Sequence, residues 1–238
     1  MTPGVTVLIP VLNEADIIEA NTLSLLDYLQ GLGLPFEIIL ISNGSTDRTA
    51  SLGRGLAGKH DRVRFLELPE RGVGRAFALG IGQAECDRVV SVDMDLSIDL
   101  GFIPRALELL DYCQIVVGSK KMGAQARALW RKLGSTIFIL TVRALLGLSF
   151  EDYSIAAKAY RREVVLKYLD RIDQGTSYVL DIICHALRDG CQAVEIPVFC
   201  EDYRPSKFNL VYEALYRFRN LFRLWWKYRL RAGSGKSA

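Results

Sequence analysis

The sequence predicts an α/β domain on a Rossmann-like, doubly wound and mainly parallel sheet, followed by a C-terminal amphipathic helix at an interface. Three observations predict it. Short β-branched runs alternate with helical stretches along the first half of the chain, an order that crossover connections turn into a parallel sheet. The apolar run Val89-Val90-Ser91-Val92 ends in Asp93-Met94-Asp95, two carboxylates placed where open α/β sheets bind ligands, outside the carboxyl ends of the strands. The last stretch of the chain interleaves aromatic, aliphatic and basic residues with almost no acid.

The elements follow in chain order. Residues 5–9 are a short apolar strand, and Asn13-Glu14-Ala15-Asp16 opens a helix with apolar positions Ile17, Ile18, Leu25, Leu26 and Leu29. Residues 37–41 are the next strand, followed by Asn43-Gly44-Ser45-Thr46-Asp47-Arg48-Thr49, a turn with Ser, Thr and Asp placed to cap a helix. Residues 63–66 read as a third strand, 88–92 as the central one, and 115–117 as another ending at Gly118-Ser119. The longest apolar run, 133–150, is broken by Arg143 and punctuated by Gly134, Ser135, Thr136 and Gly147, so no transmembrane span is predicted. Residues 5–10 are too short for a signal peptide and lack its basic flank. Internal repeats are absent, and the Gly/Ser tail 232–238 is expected to be disordered.

A chain of 238 residues, half of them hydrophobic, can bury the core of one large α/β domain. The formal charge of +3 hides an uneven distribution. Between Tyr112 and Phe150 there is no acid, while Lys120, Lys121, Arg127, Arg131, Lys132 and Arg143 are present. From Tyr203 onward nine Lys/Arg face Glu213 alone. Two cationic regions on a near-neutral protein imply an anionic partner. Five cysteines without a CxxC pair, and only two histidines, argue against a disulfide scaffold or zinc site and fit a reducing cytosol.

Asp93 and Asp95 supply hard oxygens of the kind that hold Mg²⁺ or Mn²⁺ together with a substrate's phosphates. Arg71-Gly72-Val73-Gly74-Arg75 is a basic, glycine-containing turn before a helix, suited to a phosphate. In residues 209–231, Leu210, Leu215, Phe218, Leu221, Phe222, Leu224, Trp225, Trp226 and Tyr228 are interleaved with Arg217, Arg219, Arg223, Lys227, Arg229 and Arg231. This pattern favours a helix lying in an anionic membrane interface. A partner helix or dimer face and nucleic acid are the other readings, though no nucleic-acid recognition motif is present.

Ile9-Pro10-Val11-Leu12-Asn13-Glu14, the Asn43–Thr49 turn, Arg71–Arg75, Asp93-Met94-Asp95-Leu96 and Val117-Gly118-Ser119-Lys120 occur in the order of the motif series of family 2 glycosyltransferases with the GT-A fold. The chain most resembles the dolichyl-phosphate mannose synthase-like subgroup over about residues 5–210. The resemblance implies a nucleotide-binding half over 1–118 and an acceptor half over 119–207; the basic-aromatic pattern adds the interfacial helix over 208–231.

It further implies roles for single residues. Pro10, Leu12 and Glu14 match the loop that cradles base and ribose, with Leu12 where a Tyr is common. Asn43 stands where the family usually has a base-reading Asp, and Ser42 replaces a second frequent Asp. An amide both donates and accepts, so the base is not inherited from the family. Arg75 lies beside the donor; Asp93, Met94 and Asp95 form the metal motif; Ser97 takes the place of a Gln near the metal. Lys120, Arg131 and Ser135 match the acceptor-phosphate positions. Asp152 opens the segment placed at sugar and acceptor, with Ile155-Ala156 replacing the family's Ser-Gly. Arg204 and Lys207 resemble the loop that closes over the donor diphosphate.

The activity implied is inverting transfer of a hexose, mannose first and glucose second, from GDP-mannose or UDP-glucose to polyprenyl or dolichyl phosphate. It would use Mg²⁺ or Mn²⁺ at the cytoplasmic face of a membrane, as a peripheral protein, with a homodimer or a membrane partner subunit as further company. Two alternatives stay open: a family 2 enzyme with a glycan or protein acceptor, and a non-catalytic sugar-nucleotide-binding homologue.

Overall fold

The computed structural model of the chain describes residues 2–120, 129–200 and 210–234, with side chains described except at 129–133, 210 and 230–234. The elements are β1 (Thr2–Val11), α1 (Ile18–Gly31), β2 (Phe36–Asn43), α2 (Thr49–Lys59), β3 (Val63–Leu68), α3 (Val73–Gln83), β4 (Cys86–Ser91), α4 (Phe102–Leu109), β5 (Ile115–Ser119), α5 (Leu129–Leu146), β6 (Lys158–Arg161), α6 (Arg162–Leu166), α7 (Tyr178–Arg188), β7 (Ala193–Pro197) and α8 (Leu210–Ser234).

The seven strands form one sheet in the order β3-β2-β1-β4-β6-β5-β7. All run parallel except β6, which pairs antiparallel with both β4 and β5. The chain winds outward from β1 through β2 to β3 and then returns to place β4 on the other side of β1. That reversal opens a crevice at the carboxyl ends of β1 and β4, the position where such sheets bind ligands.

The period-two alternation of the strands divides the core in two. Val7, Ile9, Ile38, Leu40, Val90 and Val116 point to one face, covered by α1, α2 and α4. Leu8, Ile39, Ile41, Val89, Ile115 and Val117 point to the other, covered by α3 and α5–α8. Each fully buried aliphatic side chain contributes roughly 1.5–3 kcal/mol, and both faces are lined throughout, as a parallel sheet requires. The C-terminal helix takes part in this core through Leu221, Leu224 and Tyr228.

The five strands expected from the sequence are present, each extended or shifted by a few residues, and the sheet is mainly parallel as predicted. The central strand stops at Ser91, leaving Val92 in the following loop. The short strands β6 and β7 had not been anticipated. No helix among the described residues is long and apolar enough to cross a membrane.

Candidate functional site

The walls of the crevice come from loops fastened to one another by hydrogen bonds from backbone N–H groups to side-chain oxygens. Asn13, after β1, adopts a left-handed conformation (φ 53°) that Asn tolerates better than most residues. Its N–H donates to Ser45 Oγ (3.1 Å), and its Oδ1 accepts from the Thr46 N–H (2.8 Å). The Glu14 N–H donates to Thr49 Oγ1 at 2.8 Å, and the Ala15 N–H to Asp47 Oδ2 at 3.3 Å. These residues were expected to open the first helix. They are instead tied to the loop after β2, and α1 begins only at Ile18. Pro10, Leu12 and Glu14 are half-buried along this rim.

Asn43 is buried at the end of β2, and its Oδ1 accepts from the Gly72 N–H at 2.6 Å. Next to it, Gly44 has φ 72°, and a Cβ there would lie 2.8 Å from Arg71 N, so only glycine fits. The Asn43-Gly44 pair therefore fixes the 71–75 turn. Arg75 folds back on its own turn, with Nη1 3.3 Å from Glu70 Oε2 and Nη2 donating to Arg71 O at 2.8 Å.

Asp93 and Asp95 follow β4 at the crevice. Asp93 is exposed at its mouth. Crowding by protein and the neighbouring Asp95 carboxylate nevertheless push its pKa up to about 6, against the pull of Lys120, a hydrogen bond from the Ala156 N–H, and Lys158. Asp95 Oδ1 accepts from the Ser97 N–H (3.1 Å), which closes a tight turn with Leu96 left-handed (φ 48°). Met94 is buried, and its carbonyl accepts from Asn21 Nδ2 at 2.9 Å, so the motif is anchored to α1 between its two acids. The Ser97 hydroxyl accepts from the Cys200 thiol at 4.0 Å.

No cluster of three or more metal-binding side chains occurs among the described residues. Two neighbouring carboxylates still fit Mg²⁺ or Mn²⁺, which complete an oxygen shell with substrate phosphates and water. Their mutual repulsion is what a divalent cation would relieve.

The opposite wall depends on the direction of β6. Being antiparallel, it starts where β4 and β5 end, with Lys158 opposite Ser91 and Val117. The preceding residues 152–157 are thereby carried over the carboxyl edge of the sheet. Asp152 is buried, and its Oδ1 accepts from the Ser154 N–H (2.8 Å), the Ser154 hydroxyl (2.8 Å) and the Ile155 N–H (3.2 Å). Burial alone would raise its pKa, but Lys158, Lys120 and the Ser154 hydrogen bonds outweigh it and hold the carboxyl below its usual value. Asp152 thus stays ionised and organises its own turn.

Two charged residues of this wall escaped the sequence analysis. Lys158 has no solvent exposure, and its Nζ donates to Ile155 O at 2.9 Å and Gly118 O at 3.2 Å. Burial pulls its pKa down to about 8, opposed by Asp152, Glu195 and Asp93, with Lys120 adding to the fall. Glu195 on β7 accepts from the N–H groups of Glu151 (2.8 Å) and Asp152 (3.0 Å) through Oε1, and burial raises its pKa. The one signal available was a single charge inside each of two short apolar runs.

The structure thus gathers Pro10, Leu12, Glu14, Asn43, Asp93, Met94, Asp95, Ser97, Lys120 and Asp152 around one crevice, with Lys120 acting electrostatically on both Asp93 and Asp152. Ser135 is exposed on α5. Arg131 lies on the same helix, with its side chain outside the described atoms, and Arg204 and Lys207 fall outside the described residues.

The model of the glycosyl transferase family 2 matches residues 6–169, from β1 through the crevice to just beyond α6. The chain belongs to this family. An undecaprenyl-phosphate 4-deoxy-4-formamido-L-arabinose transferase of Pectobacterium atrosepticum is 34% identical over 220 residues, covering 89% of this chain and 66% of that protein. Glycosyltransferase AglD of Haloferax volcanii is 28% identical over 237 residues, covering 95% of this chain and 38% of its own length. The chain thus spans two thirds or less of these relatives. Among solved structures, glucosyl-3-phosphoglycerate synthase from Mycobacterium tuberculosis superposes with a TM-score of 0.69 at 19% identity, over 93% of this chain and 80% of that one. The same enzyme with Mn²⁺, UDP and phosphoglyceric acid gives 0.67 at 20% identity, over 93% and 77%. The fold of this family 2 chain is therefore GT-A.

Proposed function

We propose that this family 2 protein transfers a glycosyl group from a nucleoside-diphosphate sugar to a polyprenyl phosphate at a membrane surface, with inversion at the anomeric carbon. The observation that carries the reading is the convergence of Asp93-Met94-Asp95 with Lys120 and the 152–158 wall at the switch point of the sheet. A divalent cation on the two carboxylates would meet the donor diphosphate, and Lys120 would meet an anionic acceptor.

Asp93 and Asp95 would hold the divalent cation, which when bound stabilises the charge developing on the leaving nucleoside diphosphate. Lys120 would draw the acceptor phosphate toward the anomeric carbon. A phosphomonoester has its second pKa near ~6 and is largely dianionic at neutral pH, so its oxygen attacks without a dedicated base. As the new bond to the anomeric carbon forms, the bond to the donor's β-phosphate oxygen breaks and the nucleoside diphosphate departs. The role of Asp152 in this scheme is to orient the wall.

The membrane reading rests on one surface. Val211, Tyr212, Leu215, Phe222 and Trp226 of α8 are exposed alongside Ile137 and Leu140 of α5, with Arg219, Arg223 and Arg229 among them. Apolar side chains mixed with cations suit a layer of anionic headgroups over acyl chains. Mannose is the first sugar to test and glucose the second; the name of the Pectobacterium relative adds a third.

The test is a donor panel of GDP-mannose, UDP-glucose and UDP-4-deoxy-4-formamido-L-arabinose with Mn²⁺ or Mg²⁺ and undecaprenyl or dolichyl phosphate. Formation of a labelled glycolipid that stops on chelation supports the reading. Transfer to a soluble sugar without lipid phosphate overturns the acceptor, and nucleotide binding without any transfer overturns the enzyme.

A further inference from the structure

The turn between α6 and α7 holds the buried Asp173, and the first turn of α7 the buried Asp181, two acids that the proposed chemistry leaves unused. Asp173 Oδ2 accepts from the N–H groups of Gly175 (2.9 Å) and Ser177 (3.0 Å). Its Oδ1 accepts from the Tyr216 hydroxyl (2.7 Å) and Asn220 Nδ2 (3.2 Å), both on α8. The Asp173 N–H donates in turn to Asp181 Oδ2 at 2.8 Å. One carboxylate thus collects two backbone donors from its own turn and two side-chain donors from the C-terminal helix. Hydrogen bonds to a charged group are about twice as strong as neutral ones.

The other side of the same turn presses on the 71–75 turn. The Arg75 N–H donates to Gln174 O at 3.2 Å. A Cβ on Gly74 would stand 2.1 Å from Asp173 O and 2.8 Å from Gln174 C, so the two backbones touch with no room for a side chain. The sequence reads these glycines as a means for backbone to approach a phosphate, whereas Gly74 is used to let one turn approach another. Gly175 lies against the end of the Tyr216 side chain, since a Cβ there would stand 2.5 Å from the hydroxyl oxygen. A continuous line of contacts therefore runs from Tyr216 and Asn220 through Asp173 and Gln174 to Gly72–Arg75, and on to Asn43 at the end of β2.

We propose that residues 173–175 form a bracket through which the seating of α8 positions the 71–75 turn and so sets the affinity for the nucleoside diphosphate, with Asp173 and Tyr216 as positioning residues. This rests on the donor site assigned above. The helix that meets the membrane and the turn that meets the donor are two faces of one hydrogen-bonded unit. Linkage then requires the converse: a bound nucleotide must stabilise the seating of α8.

The experiment uses the full chain, UDP and GDP with Mn²⁺, and two readouts, the nucleotide Kd and amide hydrogen exchange along α8. Tyr216→Phe removes one hydroxyl and keeps the ring. It should weaken nucleotide binding by about tenfold or more, the size expected from losing one hydrogen bond to a charged group. Gly74→Ala strikes the far side of the bracket and should weaken nucleotide binding while α8 stays folded by circular dichroism. Tyr112→Ala, an exposed side chain just after α4, should leave the Kd unchanged. In the wild type, nucleotide should slow exchange in α8, and Tyr216→Phe should abolish that protection. A wild type that binds neither nucleotide overturns the donor site and the bracket with it. If the wild type binds nucleotide but Tyr216→Phe binds it equally, with α8 exchange indifferent to nucleotide, the bracket alone is overturned.

Discussion

Lys158 shows how a charge can be held where water does not reach. Its ammonium has two backbone carbonyls for partners, while Asp152, Glu195 and Asp93 supply opposing charge. Replacing it by methionine would orphan the carbonyls of Gly118 and Ile155 and leave Asp152 without its nearest compensation, a loss of about 1–3 kcal/mol. Lys158→Met should therefore lower the unfolding midpoint by several degrees, at roughly 2–4 °C per kcal/mol for a domain of this size. A midpoint unchanged by calorimetry would show that the charge is dispensable. Asp95→Ala should abolish glycosyl transfer, as should chelation of the wild type, and full activity after chelation would remove the metal from the scheme. The Asp93–Asp95 pair was legible in the sequence because two carboxylates closing an apolar strand are conspicuous. Lys158 and Glu195 were not, because their burial depends on which strands flank them, and no local pattern carries that information.

At the scale of elements, β6 explains most of what the sequence left unread. Four residues are too few for alternation to declare a strand, and its antiparallel direction is set by the return of the chain from α5. The parallel strands β1–β5 are longer or more β-branched and were readable. The C-terminal helix was recognisable from its composition, but its inward face was not, because Tyr216 and Asn220 find their partner, Asp173, on a distant turn. Along that seam Asp181 is buried, with Arg223 3.8 Å away and Lys227 and Asp173 nearby. Burial pushes its pKa up to about 7, against Arg223, the Asp173 N–H and Lys227, with the Asp173 carboxylate adding to the rise. The folded state then holds a proton that the unfolded chain releases near pH ~4, so stability falls as pH rises from there through about 7. Asp181→Asn should flatten that dependence and raise stability most at pH 8. Parallel stability–pH curves for the variant and wild type would show that Asp181 does not titrate in this range.

For the molecule as a whole, most of the exposed large hydrophobic side chains among the described residues lie on α5 and α8, which pack together with Phe138 edge-on to Phe218 at 5.5 Å. Each basic residue close to an anionic bilayer contributes about 1 kcal/mol, and this fades beyond a Debye length of roughly 10 Å at 0.1 M salt. Binding to phosphatidylglycerol vesicles should weaken as salt rises, with a salt-resistant remainder that Trp226→Ala and Phe222→Ala reduce in cosedimentation. Equal pelleting of these variants at high salt would remove the apolar face from the contact. The strand order also has a consequence for synthesis. The four strands β3-β2-β1-β4 all lie within residues 2–91, but the neighbour of β4 is β6, which starts only at Lys158. A chain emerging from its N-terminus at about 5–20 residues per second completes a half-sheet with β4 as an open edge for several seconds. That edge includes Val89 and Val90, with no proline to blunt it. During each round of translation, the residues that later form the crevice border the part of the nascent protein most open to pairing with a stranger.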